Sequence, residues 1–187
     1  MKLILASSSP RRFALLEAAG YAFEIRRSDV DETPLADETA EALVRRLAVV
    51  KARTVACGPD ELILAADTTV ACDGVIMNKP VGDAEAASML TRLGGRAHEV
   101  FTGVTLRHAG GEETFVERTV VWFDTLSEED IAWYVASGEP LGKAGAYGIQ
   151  GRASRFVTRL EGSYSNVVGL PVAQVAKHLA KYVQPAS

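Results

Sequence analysis

The sequence predicts an α/β protein built on a long, mixed, curved sheet with a cleft, and three observations point there. Apolar runs of strand length alternate with stretches whose apolar residues recur every three or four positions. Two long strand-like runs, 99–107 and 114–124, are separated by Ala109-Gly110-Gly111, so an antiparallel hairpin is inserted among the βα units. Polar residues recur where apolar runs stop, and ligands of open α/β sheets sit near such strand ends.

The elements follow in order. Leu3-Ile4-Leu5-Ala6 reads as a strand, Ser7-Ser8-Ser9 as a tight loop, and the stretch from Pro10 to Ala19 as a helix ending at Gly20. Ser9 suits the N-cap and Pro10 the first helical position. A helix start offers free N–H groups and partial positive charge, and here three hydroxyls and the guanidiniums of Arg11 and Arg12 join them. Such a corner suits a polyphosphate. It is equally what an ordinary capped helix with two solvated arginines looks like.

Ala22 to Arg26 reads as a short strand, followed by an acidic loop, 28–34, that carries Asp31 and Glu32. Thr39 to about Cys57 is a helix with an apolar stripe at Ala40, Leu43, Val44, Leu47 and Val50. Lys51 lies four positions past Leu47 and extends that stripe, so it either meets a partner in a pocket or snorkels at the stripe's end. Leu62 to Ala66 is a buried strand that ends at Asp67-Thr68-Thr69. A charged, unpaired Asp67 in apolar surroundings would cost several kcal/mol, roughly. A cation, a water or a nearby Arg or Lys would relieve it, and a simple cap or turn role is the other reading of Asp67 and Asp31.

Val70 to Met77 reads as a hairpin about Asp73-Gly74 and is closed by Asn78-Lys79-Pro80. Asp83 to Leu93 is a helix stopped by Gly94-Gly95, and Ser127 to Asp130 starts another with a capping pattern. Residues 138–151 place Gly142, Gly145, Gly148 and Gly151 every third position. That spacing makes a poor helix but lets backbone approach a ligand, with Lys143 adding charge and Gln150 an amide that donates and accepts. A surface Ω-loop is the plainer alternative. A strand near Phe156 to Leu160 and a helix from Pro171 to Tyr182 complete the chain. Trp122, Phe123, Trp133 and Tyr134 fit the core better than an interface.

Composition narrows the function. At 187 residues and 48% hydrophobic content the chain can bury a sizeable core, and its net charge of −4 argues against a general binder of nucleic-acid polymers. Two cysteines and three scattered histidines do not make a disulfide framework or a zinc site. Carboxylates beside phosphates instead suit an oxygen-ligated Mg²⁺ or Mn²⁺. The apolar run after Met1-Lys2 is too short for a signal peptide, and no run approaches the roughly 20 residues that span a bilayer. The expected location is the cytoplasm, with no membrane partner.

Together these motifs resemble the Maf family of nucleoside triphosphate pyrophosphatases. The match runs from Leu5-Ala6-Ser7-Ser8-Ser9-Pro10-Arg11-Arg12 through Asp31-Glu32, Lys51-Ala52, Ala66-Asp67-Thr68 and Lys79-Pro80. It continues through 95–103 (GRAHEVFTG), 143–151 (KAGAYGIQG) and 162–171 (GSYSNVVGLP). The resemblance therefore covers nearly the whole chain and implies one pyrophosphatase domain over 1–187. It implies a fold similar to inosine triphosphate pyrophosphatases, with helices flanking the sheet and two lobes about a central cleft. It also implies hydrolysis between the α- and β-phosphates, and a homodimer.

The glycine motif with Tyr147 and Gln150 resembles the branch acting on dTTP and UTP; the branch acting on 7-methyl-GTP differs there. The resemblance makes Asp67 the proton acceptor and associates Arg11, Thr68 and Gln150 with substrate choice. It adds Ser7, Arg12, Glu32, Lys51 and Lys79 as further polar positions. In the mechanism this suggests, Glu32 holds the divalent metal, and Asp67 serves as the base, as a second metal ligand, or as both. Rival readings are the same chemistry on 7-methyl-GTP or another modified nucleotide, and a non-catalytic nucleotide sensor linked to cell division.

Overall fold

In the computed structural model, which describes residues 1–185, the chain opens on β1 (Lys2–Ala6), whose last four residues are all buried. Side chains buried on both faces of a strand place it inside a sheet. α1 (Pro10–Ala18) follows the serine loop with Pro10 in its first turn. Ser9 occupies the N-cap position, but its hydroxyl caps nothing; its N–H donates to Ser7 Oγ at 3.1 Å instead. β2 (Glu24–Ile25) is shorter than expected and pairs parallel with β1.

α2 (Ala40–Thr54) starts at Thr39, whose hydroxyl accepts from the Ala42 N–H at 3.2 Å. Its buried face comprises Ala40, Leu43, Val44, Leu47, Ala48, Lys51 and Ala52. Val50 leaves the stripe and is exposed, because at 3.6 residues per turn the inward face passes to Lys51. The lysine points inward.

β3 (Glu61–Cys72) turns at Asp73-Gly74, both with positive φ (51° and 76°), into β4 (Val75–Met77). α3 (Asp83–Leu93) leads to the hairpin of β5 (Ala97–His108) and β6 (Gly111–Phe123), each longer than the pattern suggested. α4 (Glu128–Val135) carries the expected capping box between Ser127 and Asp130. After the glycine loop come β7 (Val157–Glu161), α5 (Tyr164–Val168) and α6 (Val172–Leu179). α5 has no counterpart in the sequence pattern, since five residues are too few to show a helical period.

The sheet is mixed, with strand order β2-β1-β3-β5-β6-β7 and β4 also paired to β3. β1, β2 and β3 are parallel, and the remaining pairings are antiparallel. Leu62, Ile63 and Leu64 are fully buried at its centre, each contributing roughly 1.5–3 kcal/mol. Of the four aromatics expected in the core, Phe123 and Tyr134 are buried, Trp122 is half-buried and Trp133 is 42% exposed. Cys72 is buried and Cys57 half-buried, both free. Among the described residues no helix is long and apolar enough to cross a membrane.

Two features of β3 position the site. First, the strand does not end at Asp67. β5 pairs with it continuously from Ile63↔Arg107 to Ala71↔Glu99, which carries Asp67 and Thr68 into mid-strand. Its opposite edge is interrupted. β1 pairs as far as Ala6↔Ala65 and β4 begins at Val70↔Met77, so the edge at 66–69 lies beyond the end of β1, where the serine loop departs. Alternation puts Asp67 on the α2 face with Ala65, and Thr68 on the opposite face with Leu64 and Ala66. Second, Asp67 is paired with Gly103, and a Cβ on Gly103 would lie 2.2 Å from the Val44 carbonyl oxygen of α2. Only a glycine lets α2 press this closely on the sheet.

Candidate active site

Lys51 descends from α2 onto the carboxylate of Asp67, and its Nζ donates to Asp67 Oδ1 at 2.6 Å. The same ammonium donates to Glu32 Oε1 at 2.5 Å, and Lys79 Nζ donates to Glu32 Oε2 at 2.6 Å. The side chains of Lys51 and Asp67 are 8% and 9% exposed, so their pairing answers the cost of burying either alone. Burial alone would raise Glu32, but the hydrogen bonds from Lys51 and Lys79 outweigh it and hold the carboxyl at about 2.

On the other face of β3, Arg12 is buried and spends its donors on protein oxygens. Nε donates to the Gly169 carbonyl at 2.8 Å, and an Nη group donates to Thr68 Oγ1 at 3.0 Å. Thr68 Oγ1 also lies 2.9 Å from Thr102 Oγ1, which donates to the Asn166 carbonyl at 3.2 Å. A polar chain thus ties α1, β3, β5 and α5 together. Thr68 is the anchor of Arg12, and its supports, Thr102, Asn166 and the Gly169 carbonyl, fall inside the motifs at 95–103 and 162–171, which assign them no role of their own.

These groups open onto one cavity of about 380 Å³. Ser7, Arg11, Arg12, Glu32, Lys51, Asp67, Thr68, Lys79 and Gln150 all line it. The serine loop and the glycine loop, more than 130 positions apart in the sequence, therefore face one space. Asp31 does not line it; its carboxylate caps the Thr33 N–H at 2.9 Å. A second chamber of about 280 Å³ adjoins it on the α2 side and shares Glu32, Asp67, Thr68 and Lys79.

Arg11, Arg12 and Lys143 all line the cavity. Burial lowers the pKa of Arg11, Arg12 and Lys143; Asp67 opposes the fall at Arg12, while Arg11 adds to it at both Arg12 and Lys143. An anion would relieve all three. Arg11 and Gln150 form no hydrogen bond among the described residues, while Glu139, which sequence reasoning passed over, accepts from the Tyr134 hydroxyl and the Arg152 N–H at 2.9 and 3.0 Å.

Among the described residues no cluster of three or more His, Cys, Asp or Glu suits a metal ion. The donor set of Glu32 and Asp67 nevertheless fits a hard divalent cation. Both carboxylates reach one ammonium, and Mg²⁺ is usually held by one or two carboxylates plus substrate phosphates.

Comparison with known proteins bears on this arrangement. A family model described as Maf-like protein matches residues 2–182. The dTTP/UTP pyrophosphatase of Myxococcus xanthus is 52% identical over 182 residues, 96% of this chain and 91% of that protein. The dTTP/UTP pyrophosphatase of Symbiobacterium thermophilum is 48% identical over 185 residues, 98% of this chain and 95% of that protein. A solved structure titled nucleoside-triphosphatase / dITP/XTP pyrophosphatase, from Mycobacterium abscessus, aligns with TM-score 0.42 over 67% of this chain and 76% of its own, at 20% identity.

Proposed function

The chain belongs to the Maf family, and on that premise we infer that it hydrolyses dTTP and UTP to the nucleoside monophosphate and pyrophosphate. The observation that carries the reading is the Lys51 ammonium between Asp67 and Glu32, in the cavity that also holds Arg11, Arg12 and Gln150.

The triphosphate brings about four negative charges, so the first requirement is neutralisation. Arg12 and the partial charge at the start of α1 contribute to it, and Ser7, Lys51 and Lys79, the lysines already balanced by Asp67 and Glu32, add hydrogen bonds that hold the phosphates. Asp67 is the base. Lys51 occupies its Oδ1, and Oδ2 has no hydrogen-bond partner among the described residues, so Oδ2 is free to take a proton from water. The water oxygen forms a bond to the α-phosphorus while the bond to the α–β bridging oxygen breaks. Pyrophosphate leaves with that electron pair, and the water's proton stays on Asp67. Glu32 and Asp67 would hold the divalent cation, Mg²⁺ or Mn²⁺, which when bound neutralises phosphate charge and polarises the reacting centre.

Base choice rests on Gln150 and Arg11. Thymine and uracil present an O4 acceptor beside an N3–H donor, and one Gln amide meets both. Cytosine reverses the pattern, so a Gln amide held in one orientation leaves its polar groups unpaired there and rejects the mismatch. Thr68 contributes by holding Arg12 in place. The reading extends to a cytoplasmic homodimer acting on small nucleotides, with no nucleic-acid polymer or membrane as partner; sedimentation of the purified chain checks the dimer.

The decisive experiment incubates the chain with common and modified nucleoside triphosphates plus Mg²⁺ or Mn²⁺ and identifies the products. Monophosphate and pyrophosphate, with dTTP and UTP leading, are expected. Release of inorganic phosphate, faster turnover of 7-methyl-GTP, or tight binding without turnover overturns the reading.

A further inference from the structure

Gln150 is exposed and its amide makes no hydrogen bond among the described residues, yet reading a base edge demands that it be held. The segment that carries it is fixed three positions earlier. Tyr147 lines the cavity, is 5% exposed, and its hydroxyl lies 2.8 Å from His98 Nε2. His98 stands on β5 at 1% exposure, so this bond ties a cavity-lining side chain of the loop to the sheet.

The rings interlock around it. His98 packs edge-on against Phe123 at 4.9 Å and Tyr147 at 5.3 Å, and Phe123 packs edge-on against Tyr147 at 4.8 Å. Packing alone would be served better by Phe or Leu, because His98 Nδ1 is buried with no partner. A histidine here leaves one nitrogen unsatisfied and fixes the other on Tyr147. The bond can run either way: with the proton on Nε2 the ring donates and the buried phenol hydrogen lacks an acceptor, and with it on Nδ1 the phenol donates and that N–H lacks one. Burial holds the ring's pKa down to about 4, so it stays neutral at physiological pH.

We propose that His98 is a positioning residue for base selectivity, holding the 147–150 segment through the Tyr147 hydroxyl so that Gln150 faces the pyrimidine. The proposal rests on the dTTP/UTP reading above. The neighbouring bonds support the loop differently: Tyr134 accepts from the Gly148 N–H at 3.2 Å, and Glu139 from the Arg152 N–H at 3.0 Å. Both hold backbone, whereas His98 fixes a side chain at the cavity wall.

The test compares kcat/KM for dTTP and CTP in the wild type, His98→Phe, His98→Gln, Tyr147→Phe and the double variant His98→Phe/Tyr147→Phe, with Tm measured for each. His98→Phe and Tyr147→Phe should each cut the dTTP-over-CTP ratio by about tenfold, chiefly through a higher KM for dTTP. The double variant should lose no more than either single one, since one bond is being removed. His98→Gln should recover most of the ratio, because its amide can donate to the phenol oxygen or accept from the phenol hydroxyl in place of Nε2. A wild-type ratio in both single variants overturns the proposal. So does a loss of ratio that follows Tm and is not recovered in His98→Gln. A wild type that does not prefer dTTP to CTP overturns the functional reading itself, and the proposal with it.

Discussion

The two ends of the cleft are built on opposite terms. At the acid end every charge is engaged: Lys51 reaches two carboxylates, Glu32 reaches two ammoniums, and Arg12 is bonded to Thr68 and Gly169. At the base end Arg11 and the Gln150 amide have no hydrogen-bond partner among the described residues. The difference follows from solvation. A fully buried charge must be paired before any ligand arrives, whereas the half-buried Arg11 guanidinium and the exposed Gln150 amide are satisfied by water and exchange it for a ligand at little cost. Order at the acid end is therefore carried by the ion-paired groups themselves, and at the base end by what lies behind them.

Substitutions can break this contrast. Asp67→Asn should have the largest effect, lowering kcat by about 10²–10⁴-fold while triphosphate binding persists. Stopped-flow or single-turnover rates would show it, and a near-wild-type kcat would remove Asp67 from the role of base. Lys51→Met should come next, costing about 3 kcal/mol of stability, because it leaves the buried Asp67 carboxylate unpaired. Urea unfolding measures that loss; an unchanged midpoint would mean that the acid end is not held by its charges. The same variant should bind Mn²⁺ without nucleotide more tightly than the wild type, read by titration of the Mn²⁺ EPR signal.

Gln150→Ala tests the other side of the contrast. Its dTTP preference over CTP should fall by about tenfold with Tm unchanged, since nothing in the fold leans on its side chain. A drop in Tm would blur the distinction between the two ends. The smallest expected effect concerns pH. Glu32 lies at about 2 against an ordinary 4.5, so its ion pairs stabilise the fold above pH 4.5, and that contribution disappears as pH falls toward 2. Glu32→Gln should make the decline of Tm over that window shallower; parallel curves would show that Lys51 and Lys79 add nothing measurable through it.

Much of this was legible in the chain, and unevenly. The inward turn of Lys51 could be read from its place four residues past Leu47, because a helix has a fixed period. What it meets could not, since Asp67 and Glu32 arrive from separate segments. Asp67 was expected at a strand end because the apolar run stops at Ala66. It sits in mid-strand because β5 goes on pairing beyond that point, and pairing partners carry no local mark. Val50 fell out of the stripe for the same geometric reason that Lys51 entered it. The nine site positions were identified as a set through ordered motifs across the chain, and they meet at one cavity. Of their supports, Thr102, Asn166 and Gly169 lie within those motifs and Glu139 outside them, but what each holds depends on which segments meet, and that carries no local mark.

The missing side chain at Gly103 reaches further than packing. With any Cβ there, the backbone at Val44 would have to retreat by about an ångström, and the whole rod to which Lys51 is attached would lift with it. Two turns along that rod, the ammonium would slacken its hold on its anionic neighbours. An absent methyl thus acts as the spacer that sets how tightly the buried pair is drawn.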